Sequence, residues 1–256
     1  MWGYTKPMNM NALPVHHILF DLGGTLMRAR GDWLPVFEQS DRALTSFLRS
    51  YRLEVDAKIF RARLHEYYDQ RDKDFHETTY HFVLRELLKD LGYGEVVESV
   101  IRAALDAMFS VTQSNWVLEE DALETILQLK AHGYRLGIFS NAGDDKDVQG
   151  QVEGFGIRSH FDFVLTSAAC FYRKPHARAF EIALARWNIP PEEAAMVGDS
   201  LRADIFGANN LGMKSIWISR RAQVTEDEIQ HIRPDFSVVE LKELFPTLEQ
   251  INLSRR

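Results

Sequence analysis

The sequence implies an α/β protein, a Rossmann-like, doubly wound parallel sheet interrupted by an inserted block of helices. Three observations point there. Beyond Trp116, short apolar runs alternate with amphipathic helical spacing, which calls for parallel strands with helices on both faces. Between about residues 32 and 112 the apolar residues fall three or four apart, so that stretch is helical and holds no strand. Several predicted strands also end in residues that carry chemistry, at the carboxyl edge where open parallel sheets bind ligands.

In chain order, Pro14 closes a short N-terminal tail, and His16 to Asp21 form a buried strand because Ile18, Leu19 and Phe20 are continuous rather than alternating. Four helices are expected next, marked by Phe47/Leu48/Tyr51, Ile59/Leu64/Tyr67, Val83/Leu84/Leu87/Leu88/Leu91 and Val97/Ile101/Leu105/Met108. Gly92 and Gly94 punctuate the last two. The alternation then runs helix Asp121 to His132, strand Tyr134 to Ser140, helix Val148 to Phe155 and strand Phe163 to Ser167. Helix Ala177 to Trp187, strand Ala194 to Gly198 and helix Ala203 to Asn210 follow. Strands Ser215 to Ser219 and Phe236 to Val239 and a helix from Leu241 complete it.

Composition narrows the function. The 256 residues are 45% hydrophobic, enough for a proper core. Thirty basic residues against 37 acidic ones give a formal charge of −7, with no block of like charge suited to nucleic acid or a membrane surface. A small-molecule or protein partner is expected instead. The single cysteine, Cys170, excludes an intrachain disulfide framework, and the opening MWGYTKPMNMNALP lacks the apolar stretch of a signal peptide. No run approaches the roughly 20 apolar residues of a membrane span, so a cytoplasmic protein is expected.

The strand ends assemble a site. The first strand ends in Asp21, the second in Ser140-Asn141 and the fourth in Gly198-Asp199, with Lys174 in the connection after the third. Two carboxylates about 4 Å apart repel by roughly 4 kcal/mol at an effective dielectric near 20, so a cation is expected between them. Mg2+ suits oxygen ligands and usually takes one or two carboxylates plus substrate phosphate. Asp21 then has an oxygen free to attack phosphorus and form an aspartyl-phosphate. Lys174, the Ser140 hydroxyl and backbone N–H groups of the Gly23-Gly24-Thr25 turn would hold the transferring group. Asp204, in the first turn of the next helix, would bind a metal water or orient Lys174.

FDLGGTL, IFSNAGD, RKPHARAFEIAL and MVGDSLRADIFGANNLGM resemble, in order and spacing, the four motifs of the haloacid dehalogenase superfamily of hydrolases. The resemblance implies a catalytic set of Asp21 as nucleophile with Ser140 and Lys174 on the phosphate, and substrate contacts from Gly24, Thr25 and Asn141. It implies magnesium held by Asp21, Asp199 and the carbonyl of Gly23, to which the reading above adds Asp204, and a small phosphorylated substrate. It divides the chain into a tail (1–14), an α/β hydrolase core (15–27 and 115–256) and a helical cap (28–114) that carries specificity.

Position 23 departs from the pattern. Phosphatases of the family carry a second aspartate there as general acid and base, and this chain has Gly23. General acid–base catalysis is typically worth ~10²- to 10⁴-fold, so three readings stay open. These are a slow phosphatase, a C–X hydrolase such as a 2-haloacid dehalogenase or phosphonoacetaldehyde hydrolase, and a catalytically weak binding or regulatory protein. The Asp199/Asp204 pair favours magnesium and phosphoryl chemistry. A phosphonoacetaldehyde hydrolase needs a cap lysine for a Schiff base; Lys58 and Lys73 are the candidates, each in a charged context that fits a solvated helix face. DLGGT also opens actin-like sugar kinases, but the helical insertion and GDSLRAD speak against one. In the cap, Tyr67, Tyr68, Arg71, His76, Tyr80 and His81 are candidates to face substrate, weighed against simple packing between helices.

Overall fold

The structure is a computed structural model that describes residues 14–254; the expected tail, apart from Pro14, lies outside the described residues. Its frame is a six-stranded, wholly parallel sheet. The strands are β1 (His17–Phe20), β4 (Arg135–Ser140), β5 (Phe163–Thr166), β6 (Ala194–Gly198), β7 (Lys214–Ile218) and β8 (Phe236–Val238), in spatial order β5-β4-β1-β6-β7-β8. Two positions are thereby fixed. β1 is central, and the chain runs outward from it first through β4 and β5, then through β6, β7 and β8. The order reverses at β1, so the crevice for a ligand opens above its carboxyl end.

The continuous apolar character of β1 follows from burial on both faces. Ile18 and Phe20 pack with Leu136, Ile138, Val197 and Ile216 in one cluster, while Leu19 joins Phe139, Met196, Phe180 and Leu184 in the other. A side-chain period of two separates them. One face is covered by α5 (Ala122–Ala131), α6 (Asp145–Gly154) and α11 (Leu244–Leu253), the other by α8 (Ala177–Ala185) and α9 (Gly207–Leu211).

The expected helical insertion consists of α1 (Trp33–Ser50), α2 (Ala57–Asp74), α3 (Tyr80–Leu88) and α4 (Glu98–Gln113), with one π-helical turn at Lys89–Tyr93. It has its own apolar core, in which Leu44, Leu48, Phe60, Leu64, Leu84, Leu105 and Met108 meet. Gly92 and Gly94 take φ of +86° and +67°, a region closed to most side chains, and so stop the helix where expected. The spacing misplaced four side chains: Tyr51, Ile59, Leu91 and Val97 are exposed, and Phe60 takes the core position assigned to Ile59.

Four features were not anticipated. β2 (Met27–Ala29) and β3 (Trp116–Leu118) pair antiparallel and bracket the helical insertion at its two crossings. Three-residue strands carry too little alternation to be read from sequence. α7 (Ser167–Cys170) and α10 (Glu226–His231) were also missed, although Thr225 and Glu228 form a reciprocal capping box before α10. The helix expected over Ala203 to Asn210 is instead a π-helical turn, Leu201–Phe206, followed by α9.

Candidate active site

The strand ends converge. Asp21, directly after β1, donates its N–H to the carbonyl of Val197 at 2.9 Å, which seats it between β1 and β6. Oxygens of Asp21, Asp199 and Asp204 lie within 4.8 Å of one another. The Lys174 ammonium enters this group from the other side. It donates to Asp21 Oδ1 and to the Phe139 carbonyl, both at 2.7 Å, and lies 2.7 Å from Asp204 Oδ1. Two of its three protons thus go to hydrogen-bond acceptors, Asp21 Oδ1 and the Phe139 carbonyl, while Asp204 Oδ1 is an ion-pair neighbour. Burial works to lower the Lys174 pKa, but the Asp204 and Asp21 charges outweigh it and the net shift is upward. The ammonium is a fixed positive charge.

The carboxylates are under the opposite pressure. Burial, then the charges of Asp21 and Asp204, push Asp199 well above the ordinary carboxylate range. Burial raises Asp204 too, partly offset by Lys174. Three acids share one ammonium, so the group lacks positive charge. An oxygen-only donor set that repels itself in this way fits a hard divalent cation.

Two glycines make the cluster sterically possible. A Cβ on Gly198 would overlap the Asp204 carboxylate, and one on Gly24, whose φ is +82°, would overlap that of Asp199. Asp204 is further held by the N–H of Ser200 at 3.1 Å, and Ser200 caps the following turn by accepting from the Ala203 N–H.

Three sequence expectations change on inspection. The Gly24 N–H, assigned to a phosphate, donates to the Met27 carbonyl at 2.7 Å because the turn closes on itself. Thr25 is wholly buried beneath that turn and does not border the cavity. Asn141 borders the cavity, but its amide is engaged by the Lys174 backbone: Lys174 N–H donates to its Oδ1 at 2.8 Å, and its Nδ2 donates to the Lys174 carbonyl at 2.9 Å. It positions the loop that delivers the ammonium. Ser140, at the end of β4, faces the cavity as expected.

The cavity above the carboxylates measures about 720 Å³, and Asp21, Gly23, Ser140, Lys174, Asp199 and Asp204 border it. None of the six suspected cap side chains does. The Tyr68 hydroxyl bonds to that of Tyr80 at 2.6 Å, Tyr67 packs edge-on against Phe82, and His81 Nε2 lies 2.7 Å from Glu98. Arg71 stacks over the Tyr68 ring at 3.6 Å, and His76 lies against Tyr172 and His176. Lys58 and Lys73 are exposed on α2 and do not border the cavity, which removes the geometric basis for a Schiff base.

The residues that do wall the cavity were missed: Trp33, Trp116, Arg28, Arg173, Arg221 and Asp147. Trp33 and Trp116 stand where the chain enters and leaves the insertion, with ring centroids 4.8 Å apart at 61°. A Cβ on Gly23 would meet the Trp116 ring at 3.3 Å. The space that an acid at position 23 would need is thus bordered by indole.

A family model described as haloacid dehalogenase-like hydrolase matches residues 52–218. A glyceraldehyde 3-phosphate phosphatase of Methanothermobacter thermautotrophicus is 31% identical over 84% of this chain and 86% of its own. One from Pyrococcus furiosus is 35% identical over 51% of this chain and 54% of that protein. Among solved structures, a 2-haloacid dehalogenase from Pseudomonas syringae superposes with a TM-score of 0.68 at 23% identity, covering 92% of this chain and 99% of that one. That likeness concerns the fold alone.

Proposed function

The chain belongs to the haloacid dehalogenase-like hydrolase family, and from that premise we propose that it is a magnesium-dependent phosphatase of small phosphate monoesters, acting in the cytoplasm through an aspartyl-phosphate on Asp21. One observation carries the reading: three carboxylates and one buried ammonium meet at the crevice of the sheet. The likeness to glyceraldehyde 3-phosphate phosphatases supports phosphoryl over carbon–halogen chemistry. Residues 28–114 would serve as the cap, and 15–27 with 115–256 as the hydrolase core.

Asp21, Asp199 and the carbonyl of Gly23 would hold the ion, with Asp204 joining directly or through water. When bound, magnesium supplies charge neutralisation of the phosphate oxygens and of the carboxylates. Lys174 donates to Oδ1 of Asp21, which leaves Oδ2 as the attacking atom. In the first step the bond from Oδ2 to phosphorus forms as the ester P–O bond breaks. In the second, water attacks phosphorus, the bond to Oδ2 breaks, and inorganic phosphate leaves. Lys174 and the Ser140 hydroxyl hold the phosphoryl group through both steps. No side chain at position 23 protonates the leaving group, so it departs as the anion or takes its proton from water.

The test is hydrolysis of p-nitrophenyl phosphate with magnesium and with chelator. Magnesium-dependent release of p-nitrophenolate that Asp21→Asn abolishes supports the mechanism, and full activity in Asp21→Asn would overturn it. Chelator-insensitive halide release from a 2-haloacid would instead identify a dehalogenase.

A further inference from the structure

We propose that Arg28 and Arg221 form a subsite for a second anionic group, carboxylate or phosphate, on the leaving-group side of the substrate. The inference deepens the phosphatase reading and rests on it. Both arginines border the cavity that contains Asp21 and Lys174, and both are tied to a carboxylate that lies behind them. That carboxylate is Glu119, whose side chain is 2% exposed. Arg221 Nε donates to Glu119 Oε1 at 2.8 Å, Arg220 lies 3.5 Å from Oε2, and Arg28 Nε lies 3.7 Å from the same oxygen.

The arithmetic of donors leaves a surplus. Each guanidinium brings five N–H groups, whereas a carboxylate offers about four acceptor positions. Arg220 takes a second acid, Asp121, at 3.0 Å. Arg28 is the least satisfied of the three. Its contacts to Glu119 and Glu120 are both 3.7 Å, beyond hydrogen-bond length, and its Nε is buried with no hydrogen-bond partner. A partly buried guanidinium in that condition gains from an anion that fills the cavity beside it.

Position identifies which part of the substrate would reach it. Arg28, in β2 opposite Val117, borders the same cavity as Trp116, whose ring covers Gly23. Gly23 is where the family's phosphatases place the acid that protonates the leaving group, so this wall borders the departing portion. Trp33 and Trp116 give that portion an apolar flank, and the arginines give it a charged end. Arg173, the other guanidinium on the cavity wall, is engaged by buried Glu77.

The test is calorimetric binding, with magnesium in excess, of 3-phosphonopropionate, propane-1,3-diphosphonate and propylphosphonate. These share a phosphonate head, differ at the far end, and are not turned over. The expected result is that a compound with a second anion binds on the order of tenfold to a hundredfold tighter than propylphosphonate. The carboxylate and diphosphonate arms show which anion is preferred. Arg221→Ala, at an exposed side chain, and Arg28→Ala should each shrink that preference while leaving propylphosphonate affinity within about threefold. Equal affinity of all three compounds for the unmodified protein overturns the proposal, as does a preference that survives both substitutions. Failure of the phosphatase reading shows separately, as no magnesium-dependent turnover of p-nitrophenyl phosphate.

Discussion

Gly23 has an ordinary negative φ but little room, since its missing Cβ would press on the Trp116 ring at 3.3 Å. An aspartate there needs the indole to give by a few tenths of an ångström. Gly23→Asp combined with Trp116→Phe should therefore raise turnover of alkyl phosphates by about tenfold or more while changing aryl phosphates little, because a phenolate leaves without a proton. Unchanged alkyl turnover in a folded double variant would show that proton transfer does not limit the reaction. Asp147 offers a second test in the same cavity. Burial pushes its pKa up to about 6, against donors from Gln113 at 2.8 Å and Gln151 at 2.9 Å. A carboxyl whose folded pKa lies above its unfolded value binds its proton more tightly when folded. Its contribution is complete below the unfolded pKa and is lost as pH rises to and beyond about 6. The expected loss is roughly 3 kcal/mol, read as a fall in Tm over that window that Asp147→Asn reduces.

Between elements, the segment joining α2 to α3 is stitched to the loop that carries Lys174. Glu77 N–H donates to the Phe171 carbonyl at 2.9 Å and Arg173 N–H to the Phe75 carbonyl at 2.8 Å. The Glu77 carboxylate accepts from the Ser167 hydroxyl at 2.5 Å and from Arg173, with Arg71 3.6 Å away. Glu77→Ala would leave two partly buried guanidiniums without this carboxylate. The expected cost is roughly 2–4 kcal/mol of unfolding free energy by denaturant titration, and a change under about 0.5 kcal/mol would refute this account of the tie. The join of α8 to α9 is tight in another way. A Cβ on Gly207 would overlap the Phe180 ring and approach the Pro175 backbone, so Gly207→Ala should cost about 1–3 kcal/mol.

For the molecule as a whole, the proposed metal site gathers three acids around one ammonium, so a bound divalent cation would stabilise it. Magnesium at about 100 times its Kd should stabilise the fold by about 2.7 kcal/mol, a rise of several degrees in Tm. Asp199→Asn should lose that rise, and an equal rise in both proteins would place the ion elsewhere.

The frame of the sheet was legible because a strand buried on both faces must be apolar throughout, as Ile18 to Phe20 are, and because a carboxylate after such a run needs a partner. Asp21, Ser140, Lys174 and Asp199 could thus be assigned to one crevice from the ends of the strands and the connection after the third, and Asp204 from the helix that follows the fourth; all five border the cavity. What surrounds them could not. Trp116, Arg28 and Arg221 reach the cavity from two short strands and a loop, and no periodicity marks them. Whether Asn141 faces substrate or braces Lys174, and whether cap tyrosines face the cavity or one another, depends on which of several partners lies within about 3 Å. Apolar pattern follows from burial and is written along the chain, whereas a hydrogen-bond partner is chosen among residues distant in sequence and exists only once the chain has folded.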